Sequence, residues 1–173
     1  HEFGTNPCSE IVLRSAQFCN LTEVVVRPED TLETLRVKVE AATVLGTLQS
    51  SLTDFRFLRK VWKNNCEEER LLGVSLTGLW DRLGPITEDD LLQLKTHAIN
   101  VNGEWAERLK INPATAITCV KPSGTVSQLV NSASGCHPRH SAYYIRRVRN
   151  DIKDPLAQVM IDAGVPYEVD KFN

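Results

Sequence analysis

Nowhere in the 173 residues is there an apolar run approaching the roughly 20 that a membrane-spanning helix needs, and no charged segment followed by an apolar one opens the chain. The cytoplasm is therefore the expected compartment. A dominant charge sign is missing as well. With 20 basic against 22 acidic residues the net charge is -2, so no field over the whole molecule gathers nucleic acid or an anionic membrane, and neither is an expected partner. Any anion site has to be local. Cysteines are few: Cys8, Cys19, Cys66, Cys119 and Cys136, an odd number at irregular spacing, which fits a reduced protein rather than a disulfide scaffold. Cys136-His137 with His140 lacks the paired short spacings of a structural zinc site, Cys119 would have to join from afar, and no metal is expected. No internal repeat or low-complexity segment is present, and 42% hydrophobic residues suffice for one ordinary core.

The first five residues, His1-Glu2-Phe3-Gly4-Thr5, read as a cloning remnant, because Glu-Phe and Gly-Thr are encoded by two common restriction sites. On that reading the natural sequence begins at Asn6, and residues 6–173 form one piece of a larger domain.

Alternation of strand and helix patterns follows. Cys19 to Val26 ends in a β-branched run stopped by Arg27-Pro28, the pattern of a buried strand. Asp30 followed by Glu33 resembles a capping box, and Leu32, Leu35, Val39, Ala42 and Leu45 or Leu48 recur at helical spacing. A second helix is expected from Asp54 to Cys66 with Phe55, Leu58 and Trp62 on one side, and Glu67-Glu68-Glu69 as a solvated turn after it. Leu71 to Leu76 is a short apolar run typical of a strand buried on both faces in a parallel sheet. Thr87 caps a helix through Asn102 that Gly103 breaks. Ala114 to Val120 and Tyr143 to Val148 read as further strands, and Pro155 to Ala163 as a last helix ended by Gly164. The fold class is α/β with parallel strands and amphipathic helices, and three or four strands make only part of a sheet or barrel.

The densest chemistry lies in Asn6-Pro7-Cys8-Ser9-Glu10 with Cys19 downstream. If the backbone is extended, alternate residues Asn6, Cys8 and Glu10 share a face. A thiol can donate and accept a hydrogen atom, a carboxylate can take a proton from a hydroxyl, and an amide can hold a second hydroxyl. The same residues also read as an Asn-Pro turn followed by small buried thiols. A second feature is Ser123-Gly124-Thr125-Val126-Ser127, where small residues at a strand-to-helix turn can aim N-H groups and hydroxyls at a phosphate; it equally suits an ordinary helix entry.

The stretches NPCSEI and FCNLTEV, followed in order by LLGVSLTG and KPSGTVSQL, resemble the finger loop and later segments of ribonucleotide reductases over most of the chain. The spacing from Cys8 to Cys19 is similar to that of the adenosylcobalamin-dependent (class II) enzymes, and FCNLTEVVV and NCEEERLLGVSLTG resemble their monomeric, triphosphate-reducing branch. Nothing resembles the glycyl-radical segment of class III. The resemblance implies a part of a ten-stranded α/β barrel, with Cys8 as the thiyl radical, Glu10 as the base for the 3′ hydroxyl, Asn6 as the group orienting substrate hydroxyls, and Cys19 as one of two reducing cysteines. It further implies that Ser123, Gly124, Thr125, Val126 and Ser127 hold substrate phosphates. Adenosylcobalamin is the implied cofactor, a ribonucleoside triphosphate the substrate, and a dithiol or thioredoxin-type protein the reductant. The partner of Cys19, much of the cofactor surface and the re-reducing cysteine pair lie outside this chain in that family, so no turnover is expected from it alone, and open strand edges favour self-association.

Two other functions fit parts of the sequence. A phosphate-binding module without radical chemistry would need only the loop at Ser123. A nucleic-acid domain would use Arg139, Arg146, Arg147 and Arg149 with Tyr143 and Tyr144 interleaved, although a salt-bridged strand explains the same residues.

Overall fold

The computed structural model describes residues 2–82 and 84–171; His1, within the expected remnant, lies outside them. The chain divides into two units, His1–Arg139 and His140–Asn173.

The first unit is an α/β layer. Strand β3 (Asn20–Val25) runs parallel to β4 (Leu72–Thr77), with Thr22 opposite Val74 and Glu23 opposite Ser75. Parallel strands need a long crossover, and here it contains helices α1 (Leu32–Ser50) and α2 (Lys60–Glu69). The stretch expected as a strand at 114–120 runs alongside β4 but bulges. Leu72 N-H donates to Ala116 O and Val74 N-H to Ile117 O, a one-residue advance where a regular ladder advances by two, and only Val74 and Thr118 form a bridge.

One face of this sheet carries the core. Val24, Val26, Val74 and Ile117 meet Leu35, Val39 and Ala42 of α1 and Leu94 and Ala98 of α3 (Glu88–Leu109). The periodic stripe of α1 begins as its sequence predicts but does not continue through Leu45 and Leu48, which are exposed. Thr43, Gly46 and Thr47 face inward instead. Small residues there let the helix approach β4 so closely that a β-carbon on Gly46 would stand 3.1 Å from Leu72 Cδ2. Asn102, 1% exposed, ties the layers together: its Nδ2 donates to Thr47 Oγ1 at 2.9 Å, and its Oδ1 accepts from Ala114 N-H at 2.9 Å.

Several boundaries differ from the sequence reading. The N-cap of α1 is Thr31, paired reciprocally with Thr34. Asp30 instead accepts from Arg27 N-H, Thr34 Oγ1 and Lys38 Nζ, so the neighbouring turn takes its carboxylate. Helix α2 starts at Lys60 rather than Asp54, because Phe55 belongs to a turn; its ring meets Phe18 edge-on, and Phe18 stacks on Trp62 at 4.6 Å. Glu67–Glu69 are not a solvated turn but the end of α2, closed by Arg70 at φ 45°. Thr87 does cap α3 through Asp90, yet Gly103 does not end it. Burial of Ala106, 1% exposed, outweighs the roughly 1 kcal/mol that glycine costs within a helix.

The second unit holds α5 (Pro155–Asp162), with Asp154 capping Leu156 N-H and Gly164 at φ 79° beyond it, as the sequence predicts. Tyr143 to Val148 is not a strand. Its aromatic and β-branched residues favour extended backbone, but that preference makes a strand only beside a partner edge, and Tyr143 and Ile145 are over 90% exposed. Arg147 pairs with Glu168 and Arg149 with Asp170, which accounts for part of the basic stretch.

No helix of the described residues is long and apolar enough to cross a membrane.

Candidate functional site

A short antiparallel hairpin carries the first group of residues. Strand β1 (Phe3–Thr5) pairs with β2 (Val12–Arg14), Thr5 opposite Val12, so that residues 6–11 form the connecting loop. Pro7 occupies the second position of a turn closed by Ser9 N-H donating to Asn6 O at 2.9 Å, a place its fixed φ suits. Ser9 adopts φ 61°. The backbone is therefore not extended, and the alternation that would put Asn6, Cys8 and Glu10 on one face does not apply. The Asn6 side chain closes the loop, its Oδ1 accepting from Ile11 N-H at 3.1 Å. Cys8 is exposed at the turn, and Cys19 is half-buried at the foot of β3.

The hairpin's foot is clasped to α2. Arg14 Nη2 donates to Glu68 Oε2 at 3.0 Å and its Nε pairs with Glu69 Oε1 at 3.2 Å; Gln17 Nε2 donates to Glu69 Oε2, and Asn65 Nδ2 to Ser15 O at 2.9 Å. Cys66 accepts from Phe18 N-H at 3.3 Å and is buried, a packing role. The acidic run at the end of α2 thus has a mechanical use that its composition alone does not reveal.

Opposite the helical core, the other face of the sheet gathers the chemistry. Alternation places Cys19, Leu21 and Glu23 on that face with Gly73 and Ser75. A β-carbon on Gly73 would collide with Leu21 Cδ2 and would stand 3.2 Å from both Cys119 Sγ and Ile11 Cδ1, so the missing side chain is what lets loop, strand and thiol converge. Both carboxylate oxygens of Glu10 are buried and have no hydrogen-bond partner. Burial, and then the Glu10 charge, push the Cys19 thiol above its ordinary value. The same two causes push Cys119 up to about 11, with Lys121 opposing and Cys19 adding a smaller upward effect. Both thiols thus stay protonated at neutral pH, as S-H groups rather than thiolate nucleophiles.

Four residues beyond Cys119 the chain enters the expected phosphate loop. Helix α4 (Thr125–Leu129) starts there, with Gly124 before it and no side-chain cap. Ser123 and Ser127 are buried and turned inward: Ser127 N-H donates to Ser123 Oγ at 3.0 Å, and Ser127 Oγ to Gly124 O at 3.2 Å. Gly124, Thr125 and Val126 are the exposed members. Behind the loop, Ser134 Oγ donates to Ser123 O at 2.6 Å and Gly135 N-H to Thr77 Oγ1 at 2.7 Å. Asp81 accepts from Ala133 N-H at 2.6 Å and from Arg139 through two nitrogens. The loop lies beyond the carboxyl end of the central strands, the usual side for ligands in parallel sheets.

The structure thus links Glu10 and Cys19 to the expected phosphate loop through the stretch from Cys119 to Ser123. It leaves Asn6 engaged with its own loop. Cys119 and Gly73 are functional candidates that sequence reasoning missed. Cys119 had one signal, its place two residues before Lys121-Pro122 at a strand end, whereas Gly73 had none until its neighbours were known. No group of three or more His, Cys, Asp and Glu residues able to hold a metal occurs among the described residues.

No family model matches the chain. Among curated proteins it is similar to the adenosylcobalamin-dependent ribonucleoside-triphosphate reductase of Lactobacillus leichmannii, 29% identical over 198 residues, covering 96% of this chain and 26% of that protein. The enzyme of the same name from Levilactobacillus brevis is 26% identical over 200 residues, covering 98% and 26%. A crystal structure of a B12-dependent (class II) ribonucleotide reductase matches with a TM-score of 0.68 at 26% identity, over 98% of this chain and 28% of that one. The resemblance read from NPCSEI and its companion segments therefore extends over nearly the whole chain. The chain spans about a quarter of the length of the relatives it matches.

Proposed function

We propose that this chain is the finger-loop portion of an adenosylcobalamin-dependent ribonucleoside-triphosphate reductase, contributing part of an α/β barrel of ten strands. The observation that carries the reading is Glu10: a buried carboxylate with two unpartnered oxygens, beside two protonated thiols, is costly to leave unmet. A ribose hydroxyl donating to it would satisfy that need.

In this reading a Cys8 thiyl radical abstracts the 3′ hydrogen of the ribose, forming its S-H bond, while Glu10 takes the 3′ hydroxyl proton. The 2′ hydroxyl then leaves as water on receiving a proton from a thiol. Cys19 and a second cysteine outside this chain supply two electrons by forming a disulfide, the hydrogen returns to the 3′ carbon, and a dithiol or thioredoxin-type protein reduces the disulfide. The protonated state of Cys19 suits a group that donates rather than attacks. Gly124, Thr125 and Val126 meet the phosphates, with Ser123 and Ser127 fixing the turn beneath them. Asn6 acts by shaping the loop.

Adenosylcobalamin, on which the relatives depend by name, would supply the initiating radical. Two surface clefts of the first unit, one at Arg36, Asp89 and His97 and the other at Arg27, Asp81 and Arg139, are lined mainly by charged and polar groups and do not suit a corrin. Its seat is therefore not assigned to these residues.

The test is a reductase assay with adenosylcobalamin, a ribonucleoside triphosphate and a dithiol. The chain alone should form no deoxynucleotide, and the remaining portion of a relative, supplied as a second polypeptide, should restore formation unless Cys8→Ser or Glu10→Gln is present. Robust product from the chain alone would overturn the fragment reading; restored activity indifferent to Cys8→Ser would overturn the site.

A further inference from the structure

We propose that Cys119 is a third thiol of this site, packing against the ribose of a bound ribonucleotide on the sheet face that bears Cys19. The inference rests on the reading of the face around Glu10 as the nucleotide site. It concerns a residue distinct from the upstream partner expected for Cys19, since Cys119 lies 100 positions downstream of Cys19, at the end of the bulged stretch beside β4.

Three observations converge on it. The Cys119 sulfur reaches into the notch over Gly73, where Ile11 of the finger loop and Leu21 of β3 also close in. It therefore lies on the face that bears Cys19 and Glu10, away from the helical core. Second, its titration responds to Glu10, Lys121 and Cys19 together, which places it within electrostatic reach of the whole constellation. Third, Cys119 is two residues before Lys121 and four before Ser123, so the strand end that carries it leads directly into the loop expected to hold phosphates. A molecule offering a hydroxyl to Glu10 and phosphates to residues 124–126 would run along the stretch that carries it. A nucleotide's sugar and phosphates have that order. The notch also suits the residue type: with Leu21 and Ile11 already closing over Gly73, a small side chain fits beside them, and a protonated thiol can lie against a sugar ring without adding charge.

Thiol protection tests this on the 173-residue chain. A small methanethiosulfonate reagent is applied with and without millimolar ribonucleoside triphosphates, and the modification rate of each cysteine is read by peptide mass spectrometry. Inorganic triphosphate is the control for the phosphate loop alone, while buried Cys66 and exposed Cys136 serve as internal references. Nucleotide should slow both Cys19 and Cys119 several-fold, leave the references unchanged, and do so where inorganic triphosphate does not protect Cys119. Protection of Cys19 without Cys119 would overturn this proposal and leave the nucleotide site standing. No protection of either thiol would overturn both. As a second measure, Cys119→Ser should hold nucleotide within about twofold of the parent chain, whereas Cys119→Leu, filling the notch, should weaken binding about tenfold or more. Equal affinity for the Leu variant, shown folded by its unchanged circular dichroism, would also overturn the proposal.

Discussion

Arg139 grips Asp81 with two nitrogens, Nε to Oδ1 at 2.9 Å and Nη2 to Oδ2 at 3.1 Å, a fork-to-fork pair joining residues 58 apart in sequence. Through Ala133 N-H, which also donates to Asp81, the pair holds the segment behind the loop at Ser123 against the end of β4. Replacing Arg139 with Ala should cost about 1 kcal/mol, a modest figure because the guanidinium is 40% exposed. Amide exchange over 123–135 should rise more than exchange in α1 or α3, and uniform change across the chain would contradict the local role.

The same pair sets a pH dependence. Burial raises the Asp81 carboxyl, but hydrogen bonds from Arg139 and Ala133 outweigh it and leave it below its ordinary value of 3.8. A carboxyl lowered in the folded state stabilises the fold above its unfolded value, and that contribution fades as pH falls through the folded one. Urea midpoints should therefore drop below about pH 4 in the parent chain, and Asp81→Asn should flatten that drop while lowering the midpoint near neutrality.

The thiols differ in a way alkylation can read. Cys8 and Cys136 are exposed, whereas Cys19 and Cys119 are partly buried and raised. Labelling of Cys119 should lag and should keep accelerating from pH 9 toward about 11, where its thiolate forms. A rate that levels off near pH 9 would show that Glu10 and burial do not act on it as described.

Gly73 and Asn102 are the positions where single changes should hurt most. A methyl group on Gly73 meets Leu21, Cys119 and Ile11, and overpacking of this kind costs about 1–3 kcal/mol. Asn102→Ala leaves Thr47 Oγ1 and Ala114 N-H without their partner inside the core, an effect of about 2–3 kcal/mol. Chemical denaturation measures both. Labelling separates them, since Gly73→Ala should also alter access to Cys119 and Asn102→Ala should not.

How much of this was readable in sequence depended on whether the deciding interaction was local. The strand at Cys19, the apolar run at Leu72 and the cap at Thr87 follow from patterns a few residues long, and all three stand in the structure. The cap of α1 was displaced by one residue because Asp30, Thr31 and Thr34 can all cap, and only Arg27 and Lys38 decide where the carboxylate goes. Phe55 and Trp62 share a side as expected, but through Phe18 rather than one helix. At the site, Cys8, Glu10 and the loop at Ser123 announced themselves by residue type. Their arrangement did not, because Ser9 at positive φ turns the chain where alternation assumes it runs straight. Cys119 depended on Gly73, 46 positions away, and no window along the sequence holds both.

The hairpin that carries Cys8 is mounted by its backbone. Its outer strand Phe3–Thr5 is exposed throughout and holds the loop through main-chain pairing with Val12–Arg14, with Thr5 Oγ1 also donating to Ser9 Oγ at 3.5 Å. Such a mounting depends first on whether the amides of the outer strand are available. A proline at a paired position there would unhook the Cys8 loop from its register. The tip is thus hung from a backbone seam and fails wherever that seam is cut.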